Sequence, residues 1–488
     1  MSSFKKILKT VVVCIILFSF FAMCKNKEST PIESDKELPK ISVEGFYPDS
    51  GNIGTMVTVV GKNFRTQRDI SKVVLETIEI SPYTVSDEEI SFIIPPNLKV
   101  EEDYEIKLIG ENTDFIVNNK LRVIRDADII TDQDILNYNY TIGTQTFDPK
   151  YSFTQDDNLI ETARAILEMG SNILKISLNA DKYGLSYNGD AASLIHEHSS
   201  FKEVLEMPFY YYFFWIGTHS NWRDGYTQQE RSEDSTLISD LTISLRKEFN
   251  KSGKQFYLGH WEGDWYLLPD YNVDYKPTEI SINGMIEYYN SRQNALEEAK
   301  KRTPNSDVEV YQYAEVNRVV DAMEGKKRLT NYVLPYSNVD YVSYSAYDGQ
   351  MKSEMEFHAI LDYIEEHLPA KEGIEGKRVF IGEYGSPAKL FSYSKFEHES
   401  VNRNIMINAV SWGAPFVLFW EMYNNEVVDN EQTGFWLIDD TGIKWPYYYT
   451  HSQVLREGKK WIKNFKNDFQ RIPSQKEYLN WLTNTLSK

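Results

Sequence analysis

At 488 residues the chain is too long for one ordinary hydrophobic core, so more than one folded unit is expected. With 41% hydrophobic and 25% charged residues it is globular in composition, and 33 Tyr, 25 Phe and 10 Trp give it a rich aromatic supply. A net charge of −20 argues against nucleic acid or a polyanionic partner and suits an uncharged polymer. The sequence has no glycine-rich phosphate loop, HExxH motif or Cys/His cluster, so it implies neither nucleotide chemistry, nor a metal, nor a cofactor.

Residues 1–23 form a targeting signal. Lys5, Lys6 and Lys9 precede an apolar run from Val11 to Met23, too short for a comfortable membrane span and suited to a secretory h-region. The chain has two cysteines, Cys14 inside that run and Cys24 at its end. The stretch FAMC resembles a bacterial lipobox, which implies export and lipidation at Cys24, with the outer membrane as the expected location. Simple cleavage near Met23, leaving a free thiol, is the alternative. The polar residues 24–39 suit a flexible tether.

Residues 40–124 alternate in the rhythm of short strands broken by turns, the spacing of an immunoglobulin-like all-β sandwich. Phe46-Tyr47-Pro48, Ser50-Gly51, Gly54, Val57-Thr58-Val59, Gly61 and Asn63-Phe64 resemble the IPT/TIG family. That resemblance implies a spacer or a carbohydrate-associated module. Residues 125–137 form a linker.

From 138 to 470 apolar strand-like runs alternate with amphipathic helical stretches, as a parallel sheet with crossover helices requires. There are eight such runs: NYTIGTQTF, NILKISL, PFYYYFFWIG, KQFYLGHW, VEVYQYAEV, VDYVSYSAY, RVFIGEYG and FVLFWEMY. Capping-box patterns open helices at Thr154/Asp157, Ser353/Glu356 and Ser394/Glu397, and Gly170, Pro369 and Gly413 close them. Eight strand–helix units make the fold class α/β, a (β/α)8 TIM barrel behind the sandwich. A doubly wound open sheet is the runner-up, and its usual glycine-rich first turn is missing. Residues 471–488 are a C-terminal tail.

In a barrel of this kind the active site lies at the C-terminal strand ends. Reading those ends gives Lys175 on the second strand, His219 past the third, and Glu262 and Asp264 past the fourth. Glu315 closes the fifth, Tyr344 and Tyr347 the sixth, Glu383 the seventh, and Trp420 with Glu421 the eighth. Two carboxylates on strands four and seven can flank a bond between sugar rings. Trp222, Trp261, Trp265 and Tyr266 fall in loops at the expected mouth, where flat rings suit pyranose faces. Trp436 and Trp445 could serve likewise or pack under the final helix. Tyr210–Tyr212 and Trp215 lie within a strand and are expected in the core.

A barrel with one Glu ending strand four and another ending strand seven resembles the clan A retaining glycoside hydrolases, such as family 5. The resemblance implies that Glu262 is the general acid/base and Glu383 the nucleophile, with Asp264 a competitor for the acid role. It implies that Tyr344 or Tyr347 bonds the nucleophile, that Trp420 lies beneath the sugar, and that Lys175 replaces a supporting arginine. By their own positions, Glu315 and Glu421 are substrate contacts or supports rather than catalysts, and His219 orients the acid, contacts sugar or is a plain loop histidine. The clan's Asn before the acid is Trp261 here. The expected function is a lipid-anchored retaining β-glycosidase, endo-acting on a polysaccharide. A glycan-binding lipoprotein with a degenerate barrel is the alternative, and a pure scaffold ranks last.

Overall fold

The computed structural model describes residues 40–65, 70–110, 113–124, 132–217 and 222–487. The targeting signal, the tether with Cys24, most of the linker and His219 lie outside these residues.

Strands between Ser42 and Val123 form two sheets, one of four strands and one of five. Alternate residues of each, among them Val57, Val59, Phe92, Ile106 and Leu108, are buried between the sheets, so the segment is a sandwich. Gly61 is required there because a Cβ would fall 2.1 Å from the Ser42 carbonyl oxygen.

The second part closes into a barrel of eight parallel strands in sequence order: β1 (Ile142–Thr146), β2 (Ile173–Ser177), β3 (Tyr211–Trp215), β4 (Gln255–Gly259), β5 (Glu309–Val316), β6 (Tyr341–Ser345), β7 (Val379–Tyr384) and β8 (Val417–Phe419). All eight fall inside the expected runs, and the open doubly wound sheet is excluded by the pairing of β1 with β8. The longer helices outside the barrel are α1 (Asn158–Met169), α2 (Gln228–Glu248), α3 (Glu279–Arg302), α4 (Glu354–Glu366), α5 (Lys395–Trp412) and α6 (Pro446–Phe469).

The helix ends follow local chemistry. Ser353 and Glu356 cap α4 reciprocally, and Ser394 caps α5. α1 starts three residues later than expected: Asp157 caps it, while the Thr154 hydroxyl donates to Glu161 instead. α4 stops at Glu366, before Pro369. The expected tail is in part a further helix, α7 (Gln475–Leu486), whose Tyr478 and Leu482 are buried.

The barrel interior is built in two tiers. The lower tier is aromatic: Tyr211, Phe213, Tyr257, Tyr313, Phe380 and Phe416 fill it, with Phe213 stacked on Tyr257 at 4.4 Å. The upper tier, one alternation further along each strand, is polar and carries Gln145, Lys175, Glu315 and Ser343. That second tier positions the site.

Candidate active site

Strict alternation along β7 would put Phe380 and Gly382 inside and Glu383 outside. The pairing register slips at this point on both neighbouring strands, between Tyr344 and Ser345 on β6 and between Ile381 and Tyr384 towards β8. The irregularity reverses the phase and turns Glu383 inward while Tyr384 stays in the outer layer against Phe419 and Tyr447. Gly382 makes room for the turn, since a Cβ there would overlap the Ser343 hydroxyl.

Lys175 is fully buried at the centre of the tier. Its Nζ lies 3.0 Å from Glu315 Oε2 and 3.3 Å from Glu383 Oε1, and it donates to the Gly382 carbonyl at 3.0 Å. Glu315 also accepts the Ser343 hydroxyl at 2.7 Å and the Glu262 backbone N–H at 3.0 Å. Glu262 itself has φ of 23°, a strained conformation for a large side chain. Glu315 holds this backbone in place, its carboxylate taking the Glu262 N–H and its carbonyl the Gly263 N–H.

The Glu262 carboxylate receives three side chains. Trp265 Nε1 donates to Oε2 at 2.6 Å, Asn317 Nδ2 approaches Oε2 at 3.4 Å, and Ser345 Oγ donates to Oε1 at 2.6 Å. Ser345 Oγ is also 3.3 Å from Glu383 Oε2. One hydroxyl therefore bridges the carboxylates, and the nearest oxygens of the pair are at most about 5.9 Å apart. Retaining glycosidases hold their carboxyl groups roughly 5–5.5 Å apart and inverting ones roughly 6.5–9.5 Å.

Burial raises Glu262 to about 7, against the opposing hydrogen bonds from Ser345 and Trp265. Burial also raises Glu383 well above its ordinary value; Lys175 opposes the rise, and Glu315 and Glu262 add to it. Two carboxyls joined through one hydroxyl titrate as a pair. Lys175 bonds Glu383 directly and Glu262 not at all, so the first negative charge settles on Glu383 and keeps the proton on Glu262.

Several expected contacts lie elsewhere. Asp264 is fully buried and accepts the backbone N–H groups of Asn317, Arg318 and Leu329, so it ties the β4 and β5 loops together and does not compete as an acid. Trp222 is 1% exposed: its ring packs on Tyr288 at 4.3 Å, and Gly284 of α3 admits its backbone, so it is core and does not line the mouth. Tyr344 points outward and donates to Asp348, because Ser343 and Ser345 occupy the inner face of β6. Tyr347 sits the other way. Its ring is 37% exposed, but its hydroxyl is buried among the charges of Glu383, Glu262, Glu426 and Glu421, and that burial raises it well above the ordinary tyrosine value.

Glu315 and Glu421 are fully buried, so they support the site from beneath; Glu421 Oε2 accepts the Phe147 N–H at 2.8 Å. Trp420 stacks on Phe147 at 5.3 Å. Trp215, expected in the core, closes β3 at the polar tier with Lys175 Nζ 4.5 Å from its ring. Trp436 and Trp445 are buried against each other at 5.3 Å. Trp261 and Trp265 are half-buried and line a cavity beside Glu262. Reading the sequence missed Ser345, Ser343 and Asn317. Period-two alternation along YVSYS was the signal for both serines. Among the described residues, no group of three or more His, Cys, Asp or Glu side chains is arranged to hold a metal ion.

Residues 42–122 match the IPT/TIG domain family, in agreement with the sandwich. No curated protein sequence matches the chain. Among solved structures it is similar to a GH5-4 broad-specificity endoglucanase from Clostridium longisporum, at 12% identity and a TM-score of 0.43 over 68% of this chain and 99% of that one. It is also similar to a Bacteroides ovatus GH5 xyloglucanase (12%, TM-score 0.38, 82% and 96%) and to a GH5 family lichenase from Caldicellulosiruptor sp. F32 (13%, 0.41, 68% and 96%). On its own strand pairing, the chain is an IPT/TIG sandwich followed by a closed eight-stranded α/β barrel with a buried carboxylate pair at its mouth.

Proposed function

We propose that the chain is a retaining β-glycosidase, with Glu262 as general acid/base and Glu383 as nucleophile. The observation that carries this reading is the pair of buried carboxylates from the ends of strands four and seven, close enough for the single Ser345 hydroxyl to reach both, as double displacement requires of its acid and nucleophile. In the first step Glu262 gives its proton to the glycosidic oxygen as the C–O bond breaks, and Glu383 attacks the anomeric carbon to form a glycosyl ester. In the second, a water gives a proton to Glu262 while its oxygen displaces Glu383 from the same carbon. Lys175 holds Glu383 ionised before attack and accompanies it as it leaves.

The aromatic mouth and the −20 net charge favour a long, neutral polysaccharide cut internally. The N-terminal signal favours export and lipid attachment through Cys24 at the outer membrane. The glycan-binding alternative is favoured by Trp261 at the clan's asparagine position; Asn317, whose amide approaches Glu262 at 3.4 Å, offers a replacement from the neighbouring strand.

The test is a glycan screen followed by proton NMR of the first product formed. Retention of the β-anomer supports the reading. Initial release of the α-anomer removes the double displacement, and binding without release on every glycan favours the alternative.

A further inference from the structure

The residues that follow Glu383 are held from outside the barrel. The Tyr384 hydroxyl lies 2.6 Å from the hydroxyl of Tyr447 on α6, which itself donates to the Asn402 carbonyl of α5 at 3.0 Å. The Asn402 side chain grips the Ser386 backbone, with Oδ1 accepting its N–H at 2.8 Å and Nδ2 donating to its carbonyl at 3.2 Å. This rung between the two helices fixes the end of β7 where the register slip turns Glu383 inward. A second rung lies one turn away on each helix, where Thr450 donates to Glu399 at 2.9 Å.

The sandwich covers that second rung. Its Tyr83 is half-buried against the barrel core, with its hydroxyl among Thr450, Glu399 and Arg403 and the Arg403 guanidinium 6.0 Å from its ring. Arg403 in turn pairs with Glu399 at 3.0 Å. Nearby, Lys395 at the start of α5 donates to Ser81 at 2.8 Å. Phe396 packs on the sandwich core, and Ile93 of the sandwich joins the barrel core. Gly54, at φ of 85°, leaves the space that Arg456 of α6 occupies, since a Cβ there would fall 2.3 Å from Nη1. Apolar and polar contacts to both helices go beyond what a tethered spacer needs, because a loosely joined domain moves against its neighbour.

We propose that the sandwich is a fixed part of the catalytic unit, clamping α5 to α6, and that its Tyr83 is a positioning residue for Glu383. The assignment rests on the hydrolase reading for the role of Glu383, and it gives a task to a module whose sequence implies a spacer or a carbohydrate-associated domain. The Tyr83 ring holds the Glu399–Thr450 rung, and one turn of each helix carries that constraint to Tyr384 and Ser386. With the seam loosened, the end of β7 relaxes towards strict alternation, which withdraws Glu383 from Lys175.

The test uses the full chain as wild type and with Tyr83→Ala, Tyr83→Phe or, as a control at an exposed sandwich residue, Ile116→Ala. Calorimetry of the wild type should give one cooperative transition; two, with the sandwich melting apart from the barrel, overturn the clamp. On an oligosaccharide found by the glycan screen, Tyr83→Ala should lower kcat about 10- to 100-fold at unchanged KM, the scale on which a misplaced catalytic group costs rate. The acidic limb of its pH profile should move up as Glu383 leaves its cation. Tyr83→Phe, which keeps the ring, and Ile116→Ala should match the wild type. A lower melting temperature with kcat and the pH profile unmoved overturns the positioning role, and so does a rise in KM alone. A wild-type chain that cleaves no glycan removes the hydrolase reading instead, and the calorimetry still decides whether the sandwich is fixed.

Discussion

Replacing Lys175 with methionine keeps the length of the side chain and removes the only ammonium that touches Glu383 among the described residues. The structure fixes the sign and the scale. At 3.3 Å from Glu383 and 3.0 Å from Glu315, in a site with no exposure at the lysine, each attraction is gross about 5 kcal/mol at an effective dielectric near 20. Part of that is offset in the wild type by the cost of burying the ammonium, so about half is a fair net value for Glu383. At about 1.4 kcal/mol per pKa unit this corresponds to a rise of roughly one to two units in a carboxyl that burial has already raised. The nucleophile works only when ionised. The acidic limb of kcat/KM against pH therefore moves upward by that amount, and activity at neutral pH falls about 10- to 100-fold. Glu315→Gln provides the opposite sign: it removes a negative neighbour that raises Glu383, and the acidic limb moves down. A Lys175→Met protein with wild-type activity and an unmoved acidic limb, measured on a neutral oligosaccharide, would refute the assignment of Lys175 as the support of the nucleophile.

Two further outcomes follow from the same contacts. Ser345→Ala removes the hydroxyl shared by Glu262 and Glu383, so both limbs of the pH profile move, whereas Ser345→Thr keeps the hydroxyl and the profile; identical profiles in the two variants would leave the serine a packing role only. Glu262, ordinarily near 4.5, stands at about 7 in the fold. The folded state therefore holds this proton more tightly than the unfolded one, and a penalty on the order of 3 kcal/mol builds as pH rises from 4.5 and is complete above 7. Glu262→Gln should thus raise the thermal midpoint at pH 8 and much less at pH 5 while abolishing hydrolysis; an equal gain at both pH values contradicts the shift.

The barrel was legible because each strand is a short apolar run between capped helices, and the lower tier is filled by the same aromatic residues that stand out in composition. The positions of Glu262, Glu315 and Lys175 also follow from strand ends and alternation. Glu383 was found by its place on strand seven, although its inward aim depends on a register slip that no pattern in RVFIGEYG announces. The tyrosines of β6 illustrate the opposite failure. Family likeness drew attention to Tyr344, whereas simple alternation puts Ser345 beside Glu383, and the pairing register does so as well. Trp222 and Asp264 were misplaced for a common reason: what buries them is distant along the chain, Gly284 and Tyr288 for the indole and the amides of residues 317, 318 and 329 for the carboxylate. Contacts across 50 residues or more leave no trace in a local reading.

The most direct test of the account is to trap the glycosyl ester. The full chain would be incubated with a 2-deoxy-2-fluoro β-glycoside of the sugar that the screen identifies, bearing a good leaving group, and its peptides weighed by mass spectrometry. One sugar attached to the peptide containing Glu383 is the expected result. Attachment to Glu262 or Glu315, or continued turnover with no adduct, would contradict it.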